Sequence, residues 1–109
     1  MKEFENGMTA EREGRILEDA IAKFGKEAQI DMMIEEMSEL TKALLKYRRW
    51  HEGTRARSDE RLSDILEEMA DVQIMLNQMV LIFGDPVEYE IAKLERLEKR
   101  LSEYAGVDD

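Results

Sequence analysis

The chain has 109 residues, enough for one hydrophobic core, and its formal net charge of −10 would repel a nucleic-acid backbone from most of the surface. It has no cysteine, which removes disulfide frameworks and thiolate metal sites, and no apolar run near the roughly eighteen residues of a membrane span. Leu, Met, Ala, Glu, Lys and Arg dominate over β-branched residues, so the expectation is an all-α fold occupying 1–109 as one domain, with flexible ends at about 1–8 and 105–109.

Four helices follow in chain order. The polar start, Met1 to Thr9, has no signal-peptide apolar stretch, and with the absent cysteines it points to the cytoplasm. Thr9 reads as the N-cap of a first helix reaching Phe24, ended or bent by Gly25. A second helix runs from about Lys26 to His51. Gly53 and the stretch Thr54 to Arg57 form a connector, and a third helix runs from Ser58 or Asp59 to Phe83. Gly84 suits the position after a helix C-terminus. Asp85-Pro86-Val87-Glu88 then supplies an N-cap, a proline in the first turn and an acid for the fourth helix, from Pro86 to about Tyr104.

Apolar periodicity assigns a core stripe to each of the later helices. Ile30, Met33, Ile34, Met37, Leu40, Thr41 and Leu44 form it on the second, and Leu62, Ile65, Met69, Val72, Leu76, Val80 and Phe83 on the third. Val87, Ile91, Leu94, Leu97 and Leu101 form it on the fourth. From Val72 to Phe83 the third helix is apolar nearly all round, which predicts a bundle core plus a subunit interface, hence a homodimer or homotetramer.

One segment occurs almost twice. Ile34-Glu35-Glu36-Met37-Ser38-Glu39-Leu40 recurs as Leu66-Glu67-Glu68-Met69-Ala70-Asp71-Val72. Each copy sets two carboxylates three residues apart, Glu36 with Glu39 and Glu68 with Asp71, on one side of a helix and on the flank of the apolar stripe. The midpoint between the copies falls near Gly53, so an antiparallel hairpin folded there brings four carboxylates to one height. Such a cluster needs protons or a hard divalent cation, and Mg²⁺ or Mn²⁺ suits an all-oxygen set. A di-iron centre would pair Glu-x-x-His motifs, and the single histidine, His51, follows none of these acids by three. One such acid pair alone is most often a solvated helix face, and only its repetition in matched register gives it weight.

Cations and aromatics lie elsewhere in the pattern. Lys93, Arg96 and Arg100 share one flank of the fourth helix, where they either grip phosphate oxygens or pair with neighbouring acids. Lys46, Arg48, Arg49, Arg55 and Arg57 surround the connector, most simply as a solvated turn. Tyr47 and Trp50 are candidates for stacking on a base, though such residues more often pack.

The pair Glu36-x-x-Glu39 and Glu68-x-x-Asp71 resembles the signature of the MazG-like nucleoside triphosphate pyrophosphohydrolases, within the all-α NTP pyrophosphatase superfamily. The resemblance extends over roughly Phe24 to Leu101, through an apolar helix and a basic fourth helix. It implies a four-helix, bundle-like domain with an antiparallel hairpin core that oligomerises through its helices. It implies Mg²⁺ on Glu36, Glu39, Glu68 and Asp71, with these same acids as the catalytic set. Lys93 and Arg96 become phosphate contacts, and Asn77, beyond Asp71, a contact to sugar or base. The implied reaction converts an NTP or dNTP to monophosphate and pyrophosphate, in nucleotide-pool clean-up; charge and the lack of a long apolar run separately argue against nucleic acid and membrane as partners. Metal ions among acids are chemically suited to breaking a phosphoanhydride. The alternative is a non-catalytic helical module that binds nucleotides or a protein.

Overall fold

A computed structural model describes residues 7–49 and 55–108, with side chains described for 7–49 and 59–104. It contains four helices: α1 Ala10–Phe24, α2 Lys26–Arg49, α3 Arg55–Phe83 and α4 Val87–Asp108. The expectation of an all-α, bundle-like fold around an antiparallel helical hairpin is met. α3 starts at Arg55, before the expected Ser58, and α4 runs on through Asp108, beyond the expected Tyr104. His51 and Gly53 lie outside the described residues.

Local chemistry sets the helix ends. The Thr9 side chain accepts from the Arg12 backbone N–H at 3.1 Å, satisfying one of the first-turn donors of α1. Gly25 separates α1 from α2 with a single residue. Its φ of 93° is a conformation that side chains resist; its N–H donates to Ile21 O at 2.9 Å and its carbonyl accepts from Gln29. Gly84, at φ 118°, closes α3 in the same way, through a 2.8 Å bond to Val80 O. Asp85 Oδ1 then accepts from the Val87 N–H at 3.0 Å and starts α4.

α2 and α3 form the dominant helix pair, and α1 leans on both. The seam between α2 and α3 takes only part of the expected apolar stripes, Met33 and Leu40 on α2 and Ile65 and Val72 on α3. On α2 the buried and half-buried positions include Gln29, Met33, Glu36, Leu40 and Ala43; on α3 they include Arg61, Ile65, Glu68, Val72, Met75, Met79 and Ile82. Both sets alternate steps of four and three, the spacing of a two-helix seam. The expected stripes lie about one residue round, and much of them faces outward: Ile34, Met37 and Leu44 on α2, Leu62, Met69, Leu76 and Phe83 on α3 are exposed. α3 is apolar on more than one side, so periodicity offered two faces, and the one carrying the acids packs within the chain.

The core is correspondingly thin. Leu17, Ala43, Ile65 and Met75 are its buried apolar residues among those described, with Gln29 and Gln78 buried beside them. α4 approaches none of the other helices within 8 Å between Cα atoms, and its stripe of Val87, Ile91, Leu94, Leu97 and Leu101 is exposed. No helix of the described residues is long and apolar enough to cross a membrane.

Candidate metal centre

The hairpin register brings acids from two helices together. Glu36 on α2 and Glu68 and Asp71 on α3 each offer a carboxylate oxygen, all within 4.8 Å of one another. Glu36 and Glu68 are half-buried because they occupy seam positions, while Asp71 stands at the exposed edge. The i, i+3 spacing of Glu68 and Asp71 puts both on the side of α3 that meets Glu36.

The electrostatics follow from this crowding. Desolvation raises the Glu36 pKa above the ordinary carboxylate range. The negative charges of Asp71 and then Glu68 push the same way, as does a side-chain hydrogen bond with Asp71. Glu68 is raised first by desolvation, then by the charges of Asp71 and Glu39. Repulsion of this kind is relieved by a proton or by a cation. Three oxygens from carboxylates, one side open to solvent and no sulfur or imidazole form a donor set that fits a hard divalent ion such as Mg²⁺ or Mn²⁺.

No family model, curated protein or solved structure matches this chain.

Glu39, the fourth expected ligand, is half-buried one turn from Glu36 and outside the three-carboxylate group; one of its oxygens lies 3.5 Å from Lys42 Nζ. Its charge still reaches Glu68. Lys93 and Arg96 are exposed on α4 and line a shallow cavity with Lys99, Arg100 and Glu103. Within one chain α4 does not carry them to the α2–α3 hairpin. Tyr47 is exposed near the end of α2, Trp50 lies outside the described residues, and so do the side chains of Arg55 and Arg57.

Asn77 is committed inside the fold. Its Nδ2 donates to Glu13 Oε1 at 3.0 Å, tying α3 to the first turn of α1, and its Oδ1 accepts from Gln73 Nε2 at 3.0 Å. A cavity of about 410 Å³ opens beside this chain of hydrogen bonds, between α1 and α3, with Ala70 at its edge.

Sequence reasoning passed over two residues here. Arg61 lies seven residues before Glu68, two helical turns along the same seam, and its Nε is buried with no hydrogen-bond partner among the described residues. The heptad spacing to Glu68 was the available signal. Glu13 gave no signal at all, because its partner Asn77 is 64 positions away.

Proposed function

We propose that the chain is a Mg²⁺-dependent nucleoside triphosphate pyrophosphohydrolase of the MazG-like kind, acting in the cytoplasm on an NTP or dNTP. The observation that carries this reading is the convergence of Glu36, Glu68 and Asp71 from both arms of the hairpin within 4.8 Å. Carboxylates are costly to crowd at a seam between helices, and a cation with phosphate oxygens as its further ligands gives the crowding a use.

Glu36, Glu68 and Asp71 hold the ion in this proposal. Glu39 joins them by giving up Lys42, an exposed pair worth less than about 1 kcal/mol. A divalent ion held there would neutralise charge on the phosphate oxygens and help to activate water. Water attacks the α-phosphorus, the bond from it to the bridging oxygen breaks, and monophosphate and pyrophosphate leave. A carboxylate of the cluster takes the proton released by the water.

The functional form in this proposal is a homo-oligomer. A monomer of 12.8 kDa is expected to expose about 6,300 Å², whereas this chain exposes 9401 Å². Its radius of gyration is 18.3 Å against about 13 Å for a compact chain of this length. The excess area, the outward apolar faces of α2 and α3 and the unpartnered α4 all favour a second copy as the missing cover. Lys93 and Arg96 then meet phosphate only in the assembly.

The test is a panel of ribo- and deoxyribonucleoside triphosphates, incubated with and without Mg²⁺ and analysed for both products. Mg²⁺-dependent release of monophosphate and pyrophosphate in equal amounts supports the proposal. No turnover of any nucleotide with Mg²⁺ or Mn²⁺ sinks it.

A further inference from the structure

We infer that α1 is a hinged cover, which opens from the α2–α3 hairpin as one unit about Gly25 and is latched shut by the hydrogen bond between Glu13 and Asn77. The device holds whether or not the acids perform the proposed reaction.

α1 is held more weakly than the two arms of the hairpin hold each other. Leu17 is its one buried residue, Ala20 and Ile21 are half-buried, and Ile16 and Phe24 stay exposed. The hairpin seam carries Ala43, Ile65 and Met75 buried, with Met33, Leu40, Val72 and Met79 half-buried. Among the described residues, one hydrogen bond runs from α1 to another helix, from Asn77 Nδ2 to Glu13 Oε1 at 3.0 Å. It lies in the first turn of α1, at the end far from Gly25, where a latch has the greatest leverage. The connector to α2 is Gly25 alone, and its φ of 93° lies in a region that glycine visits without a side-chain penalty. A segment with so few buried apolar contacts opens at a lower free energy than the rest of the fold.

Once undocked, α1 loses its helix. Its fifteen residues are marginal for an isolated helix, and Gly14 in its interior weakens it further. Opening therefore breaks the backbone hydrogen bonds of α1 and leaves those of α2 and α3 in place. It also removes one wall of the cavity of about 410 Å³ that α1 and α3 share, leaving Ala70 and Ile74 of α3 open on that side. Asp71 follows Ala70 directly, so the cover opens and closes beside the acid cluster.

Native-state hydrogen exchange of the full chain, followed amide by amide by NMR, reads this opening directly. We expect the interior amides of α1 to be at least about tenfold less protected than those at the centres of α2 and α3. Glu13→Ala and Asn77→Ala should each lower protection in α1 by roughly three- to tenfold, the net worth of one hydrogen bond, and leave the hairpin unchanged to within about twofold. The double variant should go no further than either single one, because both remove the same latch. Glu11→Ala takes an acid from the same first turn without touching the latch; it controls for the helix dipole and should have the smaller effect. Equal protection of α1 and the hairpin in the wild type would overturn the inference. So would a loss spread evenly over all three helices in the latch variants, or an effect of Glu11→Ala as large as that of Glu13→Ala.

Discussion

The exposed face of α4 makes a quantitative prediction about assembly. Leu94 sits mid-stripe, 57% exposed, on a helix with no close neighbour among the other described helices. Covering what remains of it is worth about 1–2 kcal/mol, from the 1.5–3 kcal/mol of burying a whole leucine. In a two-fold dimer the residue occurs twice, so Leu94→Ala should cost about 2–4 kcal/mol, a weakening of roughly 30- to 700-fold in Kd. Alanine is the best helix former, so α4 itself should persist. Sedimentation equilibrium over a range of protein concentrations reads the shift directly. A wild type that stays monomeric at every accessible concentration would refute the reasoning, because the area left bare would then have no cover. A stable dimer insensitive to Leu94→Ala would place the interface on the outer faces of α2 and α3 instead.

Further outcomes follow from the acid cluster. Glu68→Gln should stabilise the metal-free protein, by removing repulsion at the seam, and should abolish the rise in Tm on adding Mg²⁺. For the wild type a tenfold excess of Mg²⁺ over its Kd is worth about 1.4 kcal/mol, or a Tm increase of roughly 5–10 °C in scanning calorimetry. The pH dependence has a definite sign. Glu36 and Glu68 have folded-state pKa values raised above the unfolded values, so the folded state binds more protons and stability falls as pH rises through that window. The stabilisation by Glu68→Gln should therefore be small below the ordinary carboxylate range and grow to a plateau above the raised pKa, as urea titrations at several pH values would show. A gain that shrinks with rising pH would contradict this assignment of charge. Glu39→Gln should lower turnover less than Glu36→Gln, which should cost about 100-fold or more, since Glu39 is shared with Lys42 and stands outside the close group. Steady-state rates at saturating Mg²⁺ decide between them.

Much of the architecture was legible because its signals are local. Thr9, Gly25, Gly84 and Asp85 each act on bonds within four residues, and they fixed the helix ends. The hairpin register was legible too, since two similar heptads equidistant from a turn must meet at one height. The choice of face was not. α2 and α3 are apolar on more than one side, and nothing in a single sequence says which side meets its own chain and which is left outside. The acids therefore looked like the flank of a core, when Glu36 and Glu68 stand in the seam itself. The isolation of α4 was equally hidden, since its stripe would read the same packed against its own hairpin or against another copy. Glu13 and the groove arise from a contact between distant residues, beyond the reach of spacing.

The central claim is that Glu36, Glu68 and Asp71 form a metal site for cleavage between the α- and β-phosphates. Phosphorus-31 NMR of a triphosphate digest, run on the wild type and on Glu36→Gln in Mg²⁺, tests it most directly. The account predicts monophosphate and pyrophosphate signals growing together in the wild type and neither in the variant. Release of inorganic phosphate with diphosphate, or a Glu36→Gln protein as active as the wild type, would contradict it.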